Sequence, residues 1–340
     1  MKVCIVGAGA VGGLIGTRIA ASDGAGVNAL ARGETAQALR KNGWQLKQGG
    51  KLIAGRAAAV SSDPRDFGPQ DLVVVAVKAT AMTSVADSIS ALLGPDTIVM
   101  PAMNGVPWWF TQGVAAAGDK PLESVDPGGA LAKAIPQKHV IGCVVHLAAS
   151  MEAPGIVLHR NGMGLIIGEP DGSLSPRLKT VHELLTRAGF DVTSTPKIRH
   201  EVWYKLWGNM TMNPVSAITG ATGDRMLDDK LVRDFCSAAM LEAGVIGAKL
   251  GCAIEQTPEA RHAVTRELGA FKTSMLQDAE RGRPIELDAL VTAVRELGQR
   301  TGVATPYIDA LLGLTRLFAQ SRGLYPATTG SSLLAPTTGP

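Results

Sequence analysis

The sequence predicts an α/β fold in which a doubly wound parallel sheet is followed by an all-α helical unit. Three observations support this. Short apolar runs alternate with amphipathic helical periods through the first half. A glycine-rich loop directly follows the first apolar run. From about Lys197 onward, strand signals fade and long helical periods take over. The expected units are residues 1–196, residues 197–326, and a small, polar, proline-bearing tail over 327–340.

Taken in order, strands are expected over 2–6, 27–31, 72–77 and 97–101, with helices over 11–21, 34–42 and 80–93. Asn161-Gly162 reads as a type I′ hairpin turn between strands over 156–160 and 163–168. A helix over 176–188 and a strand over 191–195 complete the first unit. Beyond it, helices are expected over 199–212, 229–250, 258–281, 284–301 and 306–320. Pro284 and Pro306 suit first-turn positions, where a missing amide proton costs nothing. No internal repeat is visible.

At 340 residues the chain can bury a sizeable core. Hydrophobic residues make up 46% and charged residues 19%, the profile of a soluble globular protein. A formal charge of +3, scattered along the chain, points to neither nucleic acid nor a membrane surface. Aromatics at 4% are too few for base-stacking platforms. No signal peptide or membrane span is expected. Cys4, Cys143, Cys236 and Cys252 are widely spaced, the pattern of reduced, buried thiols in a cytoplasmic protein. The six histidines show no metal-ligand spacing, so no metal is expected. The partners implied are small molecules, and a homodimer is left open.

Gly7-Ala8-Gly9-Ala10-Val11-Gly12 is G-x-G-x-x-G placed between a strand and a helix, the Rossmann-type context that gives the motif meaning. Gly7 makes the turn, Gly9 admits a pyrophosphate close to the backbone, and Gly12 lets the helix pack closely. The helix amino terminus then offers unpaired amides to the phosphates. NAD-preferring sites carry an acid at the end of the second strand; here Ala29-Leu30-Ala31-Arg32-Gly33 ends in arginine. A guanidinium there favours a 2′-phosphate. Lys78 ends Asp71-Leu72-Val73-Val74-Val75-Ala76-Val77-Lys78 at the carboxyl edge of a central strand, where ligands bind in such sheets. Each residue alone also reads as ordinary solvated charge, but together they favour NADPH over NADH.

Lys205, Asn209 and Asn213 recur at helical pitch and form a narrow polar stripe beside the apolar arc of Trp203, Leu206, Trp207 and Met210. A partly desolvated ammonium flanked by neutral carboxamides suits an anionic substrate whose carbonyl oxygen gains a proton. A solvated face that happens to carry these residues is the plain alternative.

With these motifs in place, the chain resembles the ketopantoate reductases (2-dehydropantoate 2-reductases) from Gly7 to Pro306. The resemblance rests on the glycine loop, Val77-Lys78, Asn104-Gly105, and Trp203-x-Lys205-x-x-x-Asn209-x-x-x-Asn213-Pro214. It continues in Ser274-Met275-Leu276-Gln277-Asp278 and Glu286-Leu287-Asp288. It implies a Rossmann domain over 1–196 and a helical substrate and catalytic domain over 197–326. The implied reaction is NADPH-dependent reduction of a 2-oxo acid in the cleft between them, by default ketopantoate to pantoate in pantothenate biosynthesis. Lys205 resembles the family's proton donor, and Asn209, Asn213 and Ser274 its substrate contacts. Asn104 resembles the asparagine near both nicotinamide and substrate. Glu286 and Ala148, in His146-Leu147-Ala148, resemble cofactor contacts. Plain readings remain for three of these: a mid-helix serine at 274, an Asn-Gly turn at 104, and a helix-start acid at 286.

Several positions depart from the family pattern. The stretch from Asn104 to Gly142 is about twenty residues longer than in compact members, a length that is often functional. It holds Pro107-Trp108-Trp109-Phe110, read as buried core or as a reshaped pocket wall. Gly223 stands where relatives carry a substrate-side asparagine, Phe271 where they are often polar, and Val291-Thr292 where they have asparagine-glycine. These changes point to a bulkier or more apolar substrate. Two other readings stay open: a reductase of the same fold for another 2-oxo or beta-hydroxy acid, and a non-catalytic NADP sensor.

Overall fold

Residues Val3–Val6 (β1) are buried along their whole length, as a central parallel strand covered on both faces must be. The computed structural model describes residues 1–23, 26–118 and 120–327. From β1 the chain runs through the glycine loop into α1 (Ala10–Asp23), then β2 (Val27–Leu30) and α2 (Gly33–Asn42). Three further strands follow: β3 (Trp44–Gln48), β4 (Lys51–Gly55) and β5 (Ala57–Ser61). The sequence reading had no element over this stretch. After them come β6 (Leu72–Val75), α3 (Met82–Ser90) and β7 (Ile98–Pro101). The strands order as β5-β2-β1-β6-β7 with every pairing parallel, so the expected doubly wound sheet is present, with β5 added at one edge.

A second sheet lies across α1. After the short α4 (Ala130–Ala134), β8 (Gly142–Ala153) and β9 (Ile156–Gly168) form a long antiparallel pair, followed by α5 (Pro176–Arg187) and β10 (Asp191–Ser194). Because β8 runs along the full length of β9, β3 and β10 share the other edge of β9 end to end. Trp44 of β3 donates from Nε1 to the Val27 carbonyl of β2 at 3.0 Å and so ties the two sheets together. Its indole lies against Gly16 of α1, where a Cβ would stand 2.9 Å from the ring.

The hairpin expected at Asn161-Gly162 is not formed. Residues 156–168 are one continuous strand, and the chain reverses at Pro154-Gly155. Asn161 faces Ala148, and the register shifts on either side of Ala148. The left-handed Gly162 (φ +70°) therefore serves a strand irregularity, a role with the same backbone demand as a turn.

The helical part comprises α6 (Ile198–Thr219), α7 (Gly223–Asp228), α8 (Lys230–Lys249), α9 (Pro258–Arg266), α10 (Ser274–Glu280), a π-helical segment Asp288–Thr292, α11 (Ala293–Thr301) and α12 (Pro306–Ser321). Helix α6 runs past Pro214, because burial of Val215, Ser216 and Ala217 outweighs one missing backbone bond. The helix expected over 258–281 is two helices, broken where Gly269 turns left-handed and restarted by the Thr273 side chain capping Leu276 N. Pro284 does not open a helix. It lies in an extended segment in which Ile285 N bonds to Leu324 O, and the helix begins only after Glu286. Among the described residues no helix is long and apolar enough to cross a membrane. Residues 328–340 of the expected tail lie outside the described residues.

Alanine normally favours a helix over glycine by about 1 kcal/mol. Gly16→Ala should nonetheless destabilise the protein by ~1–3 kcal/mol, because the new methyl meets a buried indole. Urea unfolding measures this, and an unchanged midpoint would show that Trp44 is free to move.

Candidate active site

The glycine loop divides its work among three residues. Gly7 has φ +92°, and a Cβ there would lie 2.6 Å from Val77 Cγ1. A Cβ on Gly12 would lie 2.1 Å from the Gly7 carbonyl oxygen, so the tight turn and the helix start exclude side chains at both positions. At Gly9 nothing lies within 4 Å of that position, so its backbone faces open space, the approach a pyrophosphate requires. Ala8, Ala10 and Val11 complete the loop, and Gly13 N bonds to Gly9 O at 2.7 Å to start α1. Gly7 N reaches Leu30 O at 3.4 Å, which puts the loop beside the end of β2. Arg32 follows there as the residue before α2, exposed, its side chain making no capping bond. The loop and the helix amino terminus suit the pyrophosphate of a nicotinamide dinucleotide.

Lys78 stands elsewhere in this scheme. Its ammonium pairs with Asp278 of α10 and lies 3.8 Å from Glu286. Two carboxylates share its charge, and the pairing links the sheet edge to the helical part. Glu286 accepts from Ala79 N at 2.8 Å and is buried, and burial keeps its carboxyl above the usual range while Lys78 and Ala79 N–H oppose the shift. Asp278, also buried, was quoted within a motif but given no role. Its signal was an acid three residues beyond the buried Met275, on the same helix face.

Helix α6 carries Lys205 to the centre of the site. Its Nζ donates to Asn104 Oδ1 at 2.9 Å and to the Val145 carbonyl of β8. Burial pushes its pKa down to about 8, with Cys143 and Glu286 opposing. Asn104 is positioned by its neighbour. Gly105, at φ +83°, presses on Ala289 so closely that a Cβ would stand 2.6 Å away, and Val106 N bonds to Ala289 O. The Asn-Gly turn is thus also the place where the sheet's loop docks on the π-helical segment. Beneath Lys205 lies a small cavity bordered by Asn104, Trp109, Cys143 and Asn209. Asn213 sits one turn beyond Asn209 and is only 5% exposed.

The remaining candidates are more peripheral. Ser274 is the first residue of α10 and exposed, so the mid-helix reading does not apply. Ala148 is exposed on β8, two residues after His146, which the sequence reading quoted without assigning a role. Trp108, Trp109 and Phe110 are core. Trp108 Nε1 donates to Ile135 O, and Phe110 stacks on Trp203 at 5.8 Å, while Trp109 also walls the cavity below Lys205. The departures at 223 and 271 are coupled: a Cβ on Gly223 would lie 2.1 Å from the Phe271 ring, and Gly223 N bonds to Phe271 O. Among the described residues, no group of three or more His, Cys, Asp or Glu is placed to hold a metal ion.

Comparison with known proteins gives this arrangement a family. Residues 3–172 match the family model described as ketopantoate reductase PanE/ApbA, and residues 197–319 match its C-terminal model. The chain belongs to the ketopantoate reductase family. A 2-dehydropantoate 2-reductase from Mesorhizobium japonicum is 42% identical over 96% of this chain and all of its own length. A solved structure of a candidate ketopantoate reductase from Ralstonia solanacearum MolK2 superposes with TM-score 0.91 at 54% identity, covering 95% of this chain and 99% of that one. D-mandelate dehydrogenase, solved with NADH, shares the ketopantoate reductase fold at TM-score 0.81 and 21% identity, covering 95% of this chain and all of that one.

Glu286 raises the Lys205 pKa by its charge. Glu286→Gln should therefore lower it further, so that the amine is labelled by an acylating reagent at a lower pH than in the wild type. Mass spectrometry of the labelled peptide across pH reads this out, and an unshifted labelling curve would show that the carboxylate is not felt at Nζ.

Proposed function

We propose that the protein is an NADPH-dependent oxidoreductase that reduces a 2-oxo acid to the 2-hydroxy acid, with ketopantoate to pantoate as the default reaction. One observation supports this above the others: the Lys205 ammonium is partly buried, is hydrogen-bonded by two neutral oxygens, and sits beside Asn104 at the mouth of the sheet. The reading takes residues 1–196 as the dinucleotide-binding domain and residues 197–326 as the substrate and catalytic domain. The four cysteines, free and buried, support a cytoplasmic setting.

In this reading Gly7 to Gly12 and the start of α1 hold the pyrophosphate, Arg32 takes the 2′-phosphate, Asn104 lies near the nicotinamide and the substrate, and Ala148 and Glu286 contact the cofactor. The cofactor supplies a hydride to the ketone carbon. Lys205 stabilises the charge that develops on the ketone oxygen and donates its Nζ proton to it, leaving a neutral amine that regains a proton from solvent. A pKa near 8 makes this lysine a better acid than a solvated one while keeping it mostly protonated at neutral pH. Asn104 fixes the ammonium through Oδ1. Asn209, Asn213 and Ser274 offer hydrogen bonds to the substrate without adding charge. The Phe271 ring fills the space over Gly223, where the family resemblance places a carboxamide, and this favours a more apolar chain on the oxo acid.

Lys205→Ala should lower kcat for reduction by about 10²–10⁴-fold. The ammonium form is complete well below pH 8 and lost above it, so reduction should decline as pH rises through about 8 while the reverse oxidation increases. A wild-type rate flat from pH 6 to 10, or activity retained by Lys205→Ala, would remove the lysine from the chemistry. Arg32→Asp should raise KM for NADPH by about 10–100-fold and leave KM for NADH nearly unchanged, measured by loss of cofactor absorbance. Equal effects on the two cofactors would reverse the NADPH assignment.

A further inference from the structure

We propose that Arg261 is the residue that binds the substrate carboxylate, an inference that rests on the 2-oxo-acid reading above. Arg261 belongs to α9, and its guanidinium lies against α6 with Cζ 4.7 Å from the centre of the Tyr204 ring. Its Nη1 donates to the Tyr204 hydroxyl at 3.3 Å, and that hydroxyl donates to Gln256 Oε1 at 2.6 Å. Gly208 makes room for the group: a Cβ there would stand 3.2 Å from Nε and 3.4 Å from Nη2. Gly208 is the i+3 neighbour of Lys205, so the guanidinium occupies the groove beside the Lys205–Asn209 column.

Charge balance in this corner is incomplete, because Glu286 acts on Lys205 only at longer range. Among the described residues no carboxylate pairs with Arg261, and its Nε is buried without a hydrogen-bond partner. Lys205 is a second cation. His146, on β8, keeps part of its surface in solvent, and partial burial first, then the charges of Lys205 and Arg261, disfavour its protonated form and bring its pKa down to about 4. Two cations and a neutral imidazole therefore share one corner, an arrangement that costs stability until an anion joins it. A guanidinium presents its donors as a planar fork that fits a carboxylate. In a 2-oxo acid the carboxylate is bonded to the oxo carbon, so its site must lie within a few ångströms of the proton donor. Gly208, against which the guanidinium packs, is one helical turn from Lys205, and His146 feels the charges of both Lys205 and Arg261.

The test compares a 2-oxo acid with its own methyl ester, NADPH being saturating. Arg261→Gln should raise KM for the acid by about 10–100-fold, with kcat changing less and KM for the ester nearly constant, so the preference for acid over ester collapses. Arg261→Lys should recover part of that preference, because it restores the charge without the fork. Should the glutamine variant fail to fold, the lysine variant carries the same comparison, with an expected KM rise of about 3–10-fold for the acid alone. A wild-type preference that persists in both variants overturns the assignment and leaves the 2-oxo-acid reading standing. Turnover of neither compound by the wild type overturns that reading and this inference together.

Discussion

A partly buried ammonium without a carboxylate in contact is the constraint around which the site is built. Lys205 Nζ is held by an asparagine oxygen and a backbone carbonyl, both neutral. A direct carboxylate partner would raise the lysine's pKa and make it a weaker acid. The carboxylate whose charge reaches it, Glu286, is not in contact and is itself shared with Lys78. The lysine therefore stays charged, poorly solvated and ready to give up a proton. Each supporting element serves this state. Helix α6 supplies the stem, β8 one acceptor, and the loop after β7 the other.

These elements come from distant parts of the chain, and small residues let them meet. Gly105 presses on Ala289 and brings the Asn104 loop onto the π-helical segment. The ion pairs from Lys78 to Asp278 and Glu286 close the same seam from the other side. Glu286 lies where both contacts converge, and its burial follows from that position.

Much of this was legible in the sequence because it follows from local periodicity. The first strand, the glycine loop and the Lys205 stripe depend on spacing within one or two elements, and the structure places them as the pattern requires. The misreadings share another cause. Asn161-Gly162 demands left-handed backbone, which a hairpin turn and a strand irregularity satisfy equally. Trp44-Gln45-Leu46-Lys47-Gln48 alternates and is followed by Gly49-Gly50, so β3 and its turn into β4 were readable, but their pairing with β9 was not. Lys78 shows the limit most clearly. Its partner Asp278 is 200 residues away, and no local pattern distinguishes a lysine facing a phosphate from one facing two acids.

The edge of β9 shared by β3 and β10 bears on how the protein is made. Trp44 covers α1 from a sheet whose central strand, 156–168, is synthesised more than a hundred residues later. Residues 1–61 can fold their helices early, but the layer over the glycine-loop helix cannot close until β9 has left the ribosome. Non-local pairings of this kind slow folding and leave apolar surface exposed while translation continues. The nucleotide-binding half is thus completed late, long after its glycine-loop signature has been made.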